Sequence, residues 1–463
     1  MINSKNLYKN KNQNQNKDQN TDQKKKKDRH RYKKKLAAVL LAAAAAVCSI
    51  AACGKESGLE ENLIDNDKGE ARSVNMFTPM GKTETNAENV ARTAQELTLD
   101  LAEEKLGVAV EYNTYTANDY KEKTYDDVCI ERVRSNMDDF YLLNPDVFQL
   151  LGKEGLLADL SALDSAKNLR EVVKTANTVD GKLVAIPQEV VAYGLFINKE
   201  LFDKYSLKMP ETPEDLLACC EVLKANGYET PIGANRWWLE TFVFAQAYAD
   251  LYNGDTTAEE IEALNSGKKK YSDYMRPGFE FLQELIDKGY VDAKKALTYE
   301  AIDGEGPDFK AQKTPIVMAY WGAANTDTLY GKVDFDMQVI GFPSSLGQMP
   351  VVSMTGYSVC AQAEHYEDAM EVLDVMLSDE ALTVFAETKQ VISSSKNVEA
   401  DCVDALKPLN AKINEGVYVL ASNAGMKVEQ WGNTCLIVRE LLNGASVEEC
   451  MEAFDKLQEE SLK

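Results

Sequence analysis

The sequence predicts an α/β protein with largely parallel sheets, because short apolar runs alternate with longer helical patterns along most of the chain. Ser73–Thr78 and 108–115 have the composition of strands, and a helical pattern at 86–104 lies between them. No repeat of about 20 to 50 residues interrupts this alternation, which excludes solenoids and propellers. A chain of 463 residues is long enough for two or three domains, each with its own core.

Helix boundaries can also be predicted further along the chain. Thr212 has the side chain of an N-cap residue and is followed by Pro213 in the first turn, and Gly227 marks the end of the same helix. The alternation of strands and helices then continues through 314–321 and 351–359. Strands separated by helices predict layers of helix on sheet rather than a bundle or a sandwich.

The charge of the chain is unevenly distributed. Residues 1–52 carry 13 basic and 3 acidic side chains, which leaves a net charge of −34 on the remainder. A surface this acidic repels phosphate backbones, so the composition excludes nucleic acid as a partner and favours simple solubility.

Histidine is scarce, which limits the chemistry available to the protein. His30 lies in the basic leader, and His365 stands at the polar approach to a predicted helix, where an exposed side chain is expected. Histidine-dependent nucleophilic catalysis and typical zinc sites are therefore disfavoured. Gly81-Lys82-Thr83 lacks the first glycine of a phosphate-binding loop. We expect no metal and no cofactor.

A basic stretch at 24–35 is followed by an uncharged apolar run at 36–52. This order is typical of a secretory signal peptide, and the run is short for a membrane-spanning helix. Its end, Ile50-Ala51-Ala52-Cys53, resembles the lipobox of bacterial lipoproteins, whose cysteine is lipidated and becomes the first residue. We therefore expect a signal peptide at 1–52, a lipid anchor on the cysteine, and a polar tether at 53–72.

Seven cysteines remain beyond the expected anchor, and no two of them form a CxxC pair. An odd number without such a pair predicts neither a zinc ribbon nor a complete disulfide framework, so buried free thiols are expected. Cys219 and Cys220 lie in a helical run where at least one should pack in a core.

Several motifs follow one another in a fixed order. They are GLLADL at 155–160, DGK at 180–182, IP at 186–187, INKELF at 197–202, and the segments 313–322 and 356–373. This set resembles the extracellular solute-binding proteins of family 1, the group of maltose-binding protein. Ile197 stands where the family usually has tyrosine, and Asp138 where it usually has proline. The resemblance extends from about residue 73 onward.

The resemblance implies two α/β lobes, each built from separated stretches of chain and joined by crossing strands. The first lobe is expected at 73–187 plus 346–395, and the second at 188–345 plus 396–463. The implied function is non-enzymatic: a monomeric, lipid-anchored receptor on the outer face of the bacterial cytoplasmic membrane closes around a small polar solute. A sugar is the expected ligand, and the permease subunits of an ABC transporter are the expected partners.

Two other functions stay open at this point. One is a secreted glycosidase that uses a pair of carboxylates, and the other is a lipoprotein sensor or adhesin without a transport role.

Sugar sites combine aromatic faces with planar polar groups. The resemblance assigns ligand stacking to Trp321 and Trp431. Of Trp237 and Trp238, one is expected to face the cleft, because adjacent helical residues diverge by about 100°. The other candidates lie at strand ends and chain crossings, where ligands of open α/β sheets bind. They are Thr78, Asn144, Asp146, Gln188, Glu189, Arg236, Met354 and Thr355.

Overall fold

The computed structural model describes residues 72–79, 90–116, 120, 123–299, 304–321, 333–398 and 404–463. The expected signal peptide, the anchor Cys53 and all of the tether except Arg72 lie outside these ranges. None of the helices inside them has the length and apolar character that a membrane crossing needs.

The strands of the described residues are short. In chain order they are β1 (Ser73–Thr78), β2 (Ala109–Thr114), β3 (Phe140–Leu143), β4 (Thr178–Val179), β5 (Lys182–Leu183), β6 (Ala192–Asn198), β7 (Ile232–Gly233), β8 (Ile316–Trp321), β9 (Met337–Ile340), β10 (Phe342–Ser344), β11 (Gly347–Met349), β12 (Val351–Val352), β13 (Gly356–Val359) and β14 (Val419–Leu420).

Helices occupy much of the chain between these strands. They are α1 (Val90–Leu106), α2 (Tyr125–Arg134), α3 (Pro145–Lys153), α4 (Glu171–Asn177), α5 (Lys199–Lys204), α6 (Pro213–Ala225), α7 (Leu239–Ala247), α8 (Ala249–Asn253), α9 (Thr257–Asn265), α10 (Tyr271–Asp287), α11 (Ala293–Thr298), α12 (Gly306–Lys310), α13 (Tyr366–Met376), α14 (Asp379–Lys389), α15 (Lys407–Asn414), α16 (Trp431–Leu442) and α17 (Val447–Ser461).

Local sequence signals account for several of these boundaries. The Thr212 side chain accepts from the Asp215 backbone N–H, and the Asp215 carboxylate accepts from the Thr212 N–H, so α6 begins with a complete capping box. Gly227 follows the end of α6 at φ 95°, which favours glycine. His365 is the N-cap residue of α13. These three sequence-based predictions are confirmed.

The first sheet has the order β13-β3-β1-β2, in which β1 pairs parallel with both β2 and β3. The β13 strand closes one edge and runs antiparallel to β3. Both faces of this sheet are covered, since Met76 on one face and Phe77 on the other are fully buried. Burial on both faces explains why the central strand β3 is apolar throughout, whereas the edge strand β2 carries exposed and half-buried polar residues.

The second sheet has the order β14-β12-β6-β8-β7, and β9 also pairs with β6. Every residue of β6 is buried, which is expected for a central strand. The stretch 351–359 is not one strand. It divides into β12, which pairs with β6 of the second sheet, and β13, which pairs with β3 of the first. The chain therefore returns to the first sheet after Val352 and not at residue 346.

Two large cores follow the two faces of the second sheet. One core joins the first sheet, through residues such as Met76, to the face of β8 that carries Val317 and Trp321. The other core packs the opposite face of β8, which carries Met318, against α7 and α10. Cys219 and Cys220 are both buried in this second core, as predicted. All six cysteines in the described residues are free thiols.

The chain passes between the two sheets in three segments, which we call the crossings: 186–192, 352–356 and 390–398. The first crossing lies against the third, because the Val190 N–H donates to the Ile392 carbonyl at 2.8 Å. Beneath this contact, Lys389 donates to Glu189 at 2.7 Å, and only 2% of the lysine side chain is exposed. A buried ion pair therefore joins the end of α14 to the first crossing.

Replacing Lys389 by Met should destabilise the protein by about 3 to 5 kcal/mol, because it leaves the Glu189 carboxylate buried without its cation. The double variant Lys389→Met with Glu189→Gln should recover most of this loss, since no charge then remains buried. The free energy of unfolding from urea titrations measures both effects.

The exposed i,i+4 pair of Lys199 and Asp203 offers a matched control. Lys199→Met should change the free energy of unfolding by less than about 1 kcal/mol. Equal losses for Lys389→Met and Lys199→Met would contradict the role assigned to the buried pair.

Candidate functional site

Asn144 links three elements of the first lobe. It lies between β3 and α3, where Pro145 in the first turn starts the helix. Its amide nitrogen donates to Asp126 Oδ1 at 2.8 Å, and its amide oxygen accepts from Thr355 Oγ1 at 3.0 Å. Burial raises the pKa of the Asp126 carboxyl, and the Asn144 hydrogen bond opposes that shift. The predicted residues Asn144 and Thr355 are therefore brought into contact at the end of the second crossing.

Asp146 reaches from the first lobe to the segment that precedes α16. The Ser422 hydroxyl donates to Asp146 Oδ1 at 2.8 Å. Burial, followed by the adjacent Glu429 carboxylate, raises the pKa of Asp146 to about 7. Glu429 in turn accepts from the backbone N–H groups of Gly432 and Asn433 in the first turn of α16, at 2.6 and 3.1 Å. The contact between the lobes thus includes two acidic side chains.

A cavity of about 350 Å³ lies at this contact. Its walls come from α2 and α3 on one side and from 422–430 on the other. Its lining includes Asp126, Asp146, Gln149, Lys153, Ser422, Asn423, Lys427, Glu429 and Gln430. Ile130, Val147, Leu150, Met426 and Val428 complete the lining, so the cavity combines apolar surface with polar groups, and both lobes contribute to it.

Four aromatic side chains form a cluster beside this cavity, which we call the aromatic cluster: Tyr193, Trp238, Tyr320 and Trp431. The Tyr193 ring centre lies 5.8 Å from Trp238, 5.4 Å from Tyr320 and 5.5 Å from Trp431. Trp238, Tyr320 and Trp431 are half-buried, so part of each remains accessible. Trp431 directly follows Gln430, which lines the cavity. The cluster has the character of a stacking surface.

Sequence analysis predicted two members of the aromatic cluster, Trp238 and Trp431, and missed the other two. Tyr193 and Tyr320 are cross-strand partners on β6 and β8 and project from the same face of the second sheet. The signal that could have found Tyr320 is strand alternation, because neighbours on a strand point to opposite faces.

Trp321, the next residue on β8, faces the other way. Its side chain is 3% exposed, packs against Phe196, and its indole N–H donates to the Gln390 carbonyl at 3.1 Å. In this conformation it is a core residue that also ties β8 to the end of α14. It lies on the face of β8 opposite the aromatic cluster, where it also borders a separate cavity of about 520 Å³.

Trp237 lies against two guanidinium groups. The Arg236 and Arg439 guanidinium carbons are 5.0 and 4.9 Å from its ring centre. Arg236 also donates to the Leu297 carbonyl at 3.0 Å. Of the two adjacent tryptophans, Trp238 is the one that joins the aromatic cluster.

The other predicted site residues are buried in structural contacts. Thr78 and Met354 are buried at the ends of their segments. Gln188 donates to the Thr98 hydroxyl at 2.8 Å and lies beside Tyr357. Glu189 is held by Lys389. The structure therefore does not bring these four residues to the cavity or to the aromatic cluster.

A larger cavity, of about 650 Å³, lies between α4 and α15 beside the third crossing. None of the residues predicted to bind ligand lines it, and Tyr418 is its one aromatic side chain among the described residues. The smaller cavity is the better candidate because it adjoins the aromatic cluster. In the described part of the chain, no group of three or more His, Cys, Asp or Glu is placed to hold a metal ion.

The sequence matches the family model of the bacterial extracellular solute-binding proteins over residues 87–383. No curated protein sequence matches the chain.

Solved structures share the fold at low sequence identity. The apo form of RafE from Streptococcus pneumoniae has a TM-score of 0.67 and 17% identity, covering 85% of this chain and 98% of that one. The GacH receptor of Streptomyces glaucescens, solved unliganded and with acarbose, has a TM-score of 0.66 and 15% identity, covering 85% and 98%. The sugar transporter BL01359 from Bacillus licheniformis, in complex with stachyose, has a TM-score of 0.63 and 18% identity, covering 84% and 98%.

These likenesses establish the two-lobed fold, with each lobe assembled from separated stretches of chain. The family consists of binding proteins rather than enzymes. The chain belongs to the bacterial extracellular solute-binding proteins.

Proposed function

We propose that the protein is the lipid-anchored receptor of an ABC importer and that it binds a carbohydrate between its two lobes. The aromatic cluster is the observation that carries this proposal. Trp238, Tyr320 and Trp431, which pack around the buried Tyr193 ring, present partly exposed apolar faces of the kind that stack on the C–H side of a sugar ring. The amide and carboxyl groups of Asn144 and Asp146 supply hydrogen bonds from the other lobe.

The similar structures support a sugar as the ligand. RafE has been solved in complex with raffinose, and BL01359 with stachyose. Both ligands are oligosaccharides.

Hinge closure follows from the division of the site between lobes. We place the first lobe at 73–187 plus about 353–395 and the second at 188–352 plus 396–463. The boundary near residue 352 differs from the one expected from the sequence because β12 pairs with β6 of the second sheet. A ligand that contacts Asp146 and Trp431 at once interacts fully only when the lobes meet, so it favours the closed state.

Truncating Trp431 to Ala should weaken sugar binding by about 1 to 3 kcal/mol, because a large stacking surface is lost. Trp238→Ala should have a similar effect. Isothermal titration calorimetry with the best sugar from a thermal-shift screen measures the change.

Trp321→Ala provides the matched comparison. It should lower the free energy of unfolding by about 3 to 5 kcal/mol, since it removes a core side chain. Affinity should change little in the variant that remains folded. Wild-type affinity in both Trp431→Ala and Trp238→Ala would show that the aromatic cluster is not the binding surface.

Sugar affinity should rise about tenfold between pH 8 and pH 6. Closure buries Asp146 beside Glu429, and a proton bound to Asp146 removes the repulsion between the two carboxylates. The pKa of Asp146 is raised to about 7 in the contact, above its ordinary value of 3.8, so closure is favoured increasingly as the pH falls through 7. The other charged groups at the cavity are Asp126, Lys153 and Lys427. Calorimetry at several pH values gives the dependence.

Asp146→Asn keeps the oxygen that accepts from Ser422 but cannot titrate, so its affinity should be flat between pH 6 and pH 8. Glu429→Gln removes the second cause of the shift but leaves Asp146 buried and titratable, so it should reduce the slope without abolishing it. Asp164→Asn, which changes an exposed carboxylate paired with Lys167, should retain the wild-type slope. A slope that survives Asp146→Asn would assign the pH dependence to another group.

Cys53→Ser should release the protein from the membrane or leave it unprocessed, because the acceptor of the lipid is lost. Fractionation of expressing cells, followed by intact mass spectrometry, measures both attachment and processing. An unmodified Cys53 in the mature protein would refute the anchor.

A further inference from the structure

Trp237, Arg236 and Arg439 form a second cluster close to the aromatic cluster, which we call the arginine pair site. Both guanidinium carbons lie within 5.0 Å of the Trp237 ring centre, so the two positive charges are at most about 10 Å apart. Within the described chain, neither arginine is within ion-pair distance of a carboxylate. By contrast, Arg72, Arg132, Arg134 and Arg276 each pair with one.

The same side chains carry buried N–H groups without acceptors. Arg236 Nε, Arg439 Nε and Trp237 Nε1 are all buried, and none of the described residues accepts a hydrogen bond from them. Three unpartnered donors in one cluster are unusual, because buried N–H groups in folded proteins are almost always bonded. An acceptor from outside the chain would explain all three.

The nearest carboxyl group does not neutralise the two arginines. Glu240 is fully buried, and both its carboxyl oxygens lack partners among the described residues. Burial raises the pKa of Glu240 to about 8, although its backbone hydrogen bond and Arg439 oppose the shift, so the side chain is largely uncharged at neutral pH. The arginine pair site therefore keeps a local positive charge in a strongly acidic protein.

The arginine pair site continues the proposed binding surface. Trp431, Cys435 and Arg439 are spaced by four residues on α16 and so share one face of that helix. Trp237 and Trp238 are adjacent in sequence, and the Cys435 thiol lies 3.9 Å from the Arg236 carbonyl. A ligand stacked on Trp238 and Trp431 would therefore reach the arginine pair site by extending along α16, on which Arg439 lies about 12 Å from Trp431.

We propose that Arg236 and Arg439 form an anionic subsite and that the natural ligand is an acidic saccharide whose carboxylate or sulfate group binds there. The proposal rests on the carbohydrate-binding function proposed above and narrows its ligand class. Guanidinium groups match planar oxyanions geometrically and bind them through charge-assisted hydrogen bonds. The overall negative charge does not prevent this, since charges more than about 8 Å away are screened at physiological salt.

An array of neutral, uronate-bearing and sulfated oligosaccharides tests the ligand class, and calorimetry then compares the best acidic hit with its neutral counterpart. Wild-type protein should bind the acidic saccharide at least about 10-fold more tightly than the neutral one. Arg439→Gln and Arg236→Gln should each remove most of this preference, because each should weaken binding of the acidic saccharide more than binding of the neutral one. Uronate and sulfated hits distinguish the two sources of the anionic group.

Arg276→Gln is the control, because Arg276 pairs with Glu448 on the surface between α10 and α17. It should keep the full preference. Arg439→Lys retains the positive charge and should keep part of the preference for the acidic saccharide. This variant still tests the subsite if a glutamine variant fails to fold. Hits confined to neutral saccharides, or equal losses for both ligands in the glutamine variants, would overturn the anionic subsite and leave carbohydrate binding intact. Failure to bind any saccharide would overturn both.

Discussion

The buried ion pair between Glu189 and Lys389 is the contact on which the arrangement of the two lobes depends. It joins the end of α14 to the first crossing, and the Val190 to Ile392 hydrogen bond lies directly above it. Burial lowers the pKa of Lys389, and Glu189 opposes that change. Removing either partner alone would leave the other charge buried and unpaired, which destabilises the folded protein. The crossings are therefore joined to each other at this point, about which the proposed closure of the lobes would turn.

A fixed set of crossings places the functional surfaces opposite one another. The first lobe presents the ends of β3 and the start of α3, with Asn144 and Asp146. The second presents one face of β6 and β8 together with the start of α16. Adjacent residues on β8 point to opposite faces of the second sheet. Tyr320 therefore joins the aromatic cluster on one face, while Trp321 packs in the core on the other.

Most of the fold could be predicted from the sequence, because strand and helix periodicities and ordered motifs are local signals. β1 was predicted to the residue, and the cap of α6 by its side-chain chemistry. The site was harder, since a tryptophan at a strand end has the same local signal whether it faces a cleft or a core. Only the register of β6 against β8 determines which of Tyr320 and Trp321 faces the aromatic cluster and which faces the core. Arg439 lay beyond prediction because its partner Trp237 is distant in sequence.

The position of β13 has a consequence for how the protein is made. β3 pairs with β13 along one edge of the first sheet, yet roughly 200 residues separate them, a delay of about 10 to 40 s at typical rates of synthesis. Until then the first sheet has an open edge and its lobe lacks α13 and α14. The nascent chain therefore cannot complete either lobe early, which keeps it extended enough to be threaded through an export channel before it folds.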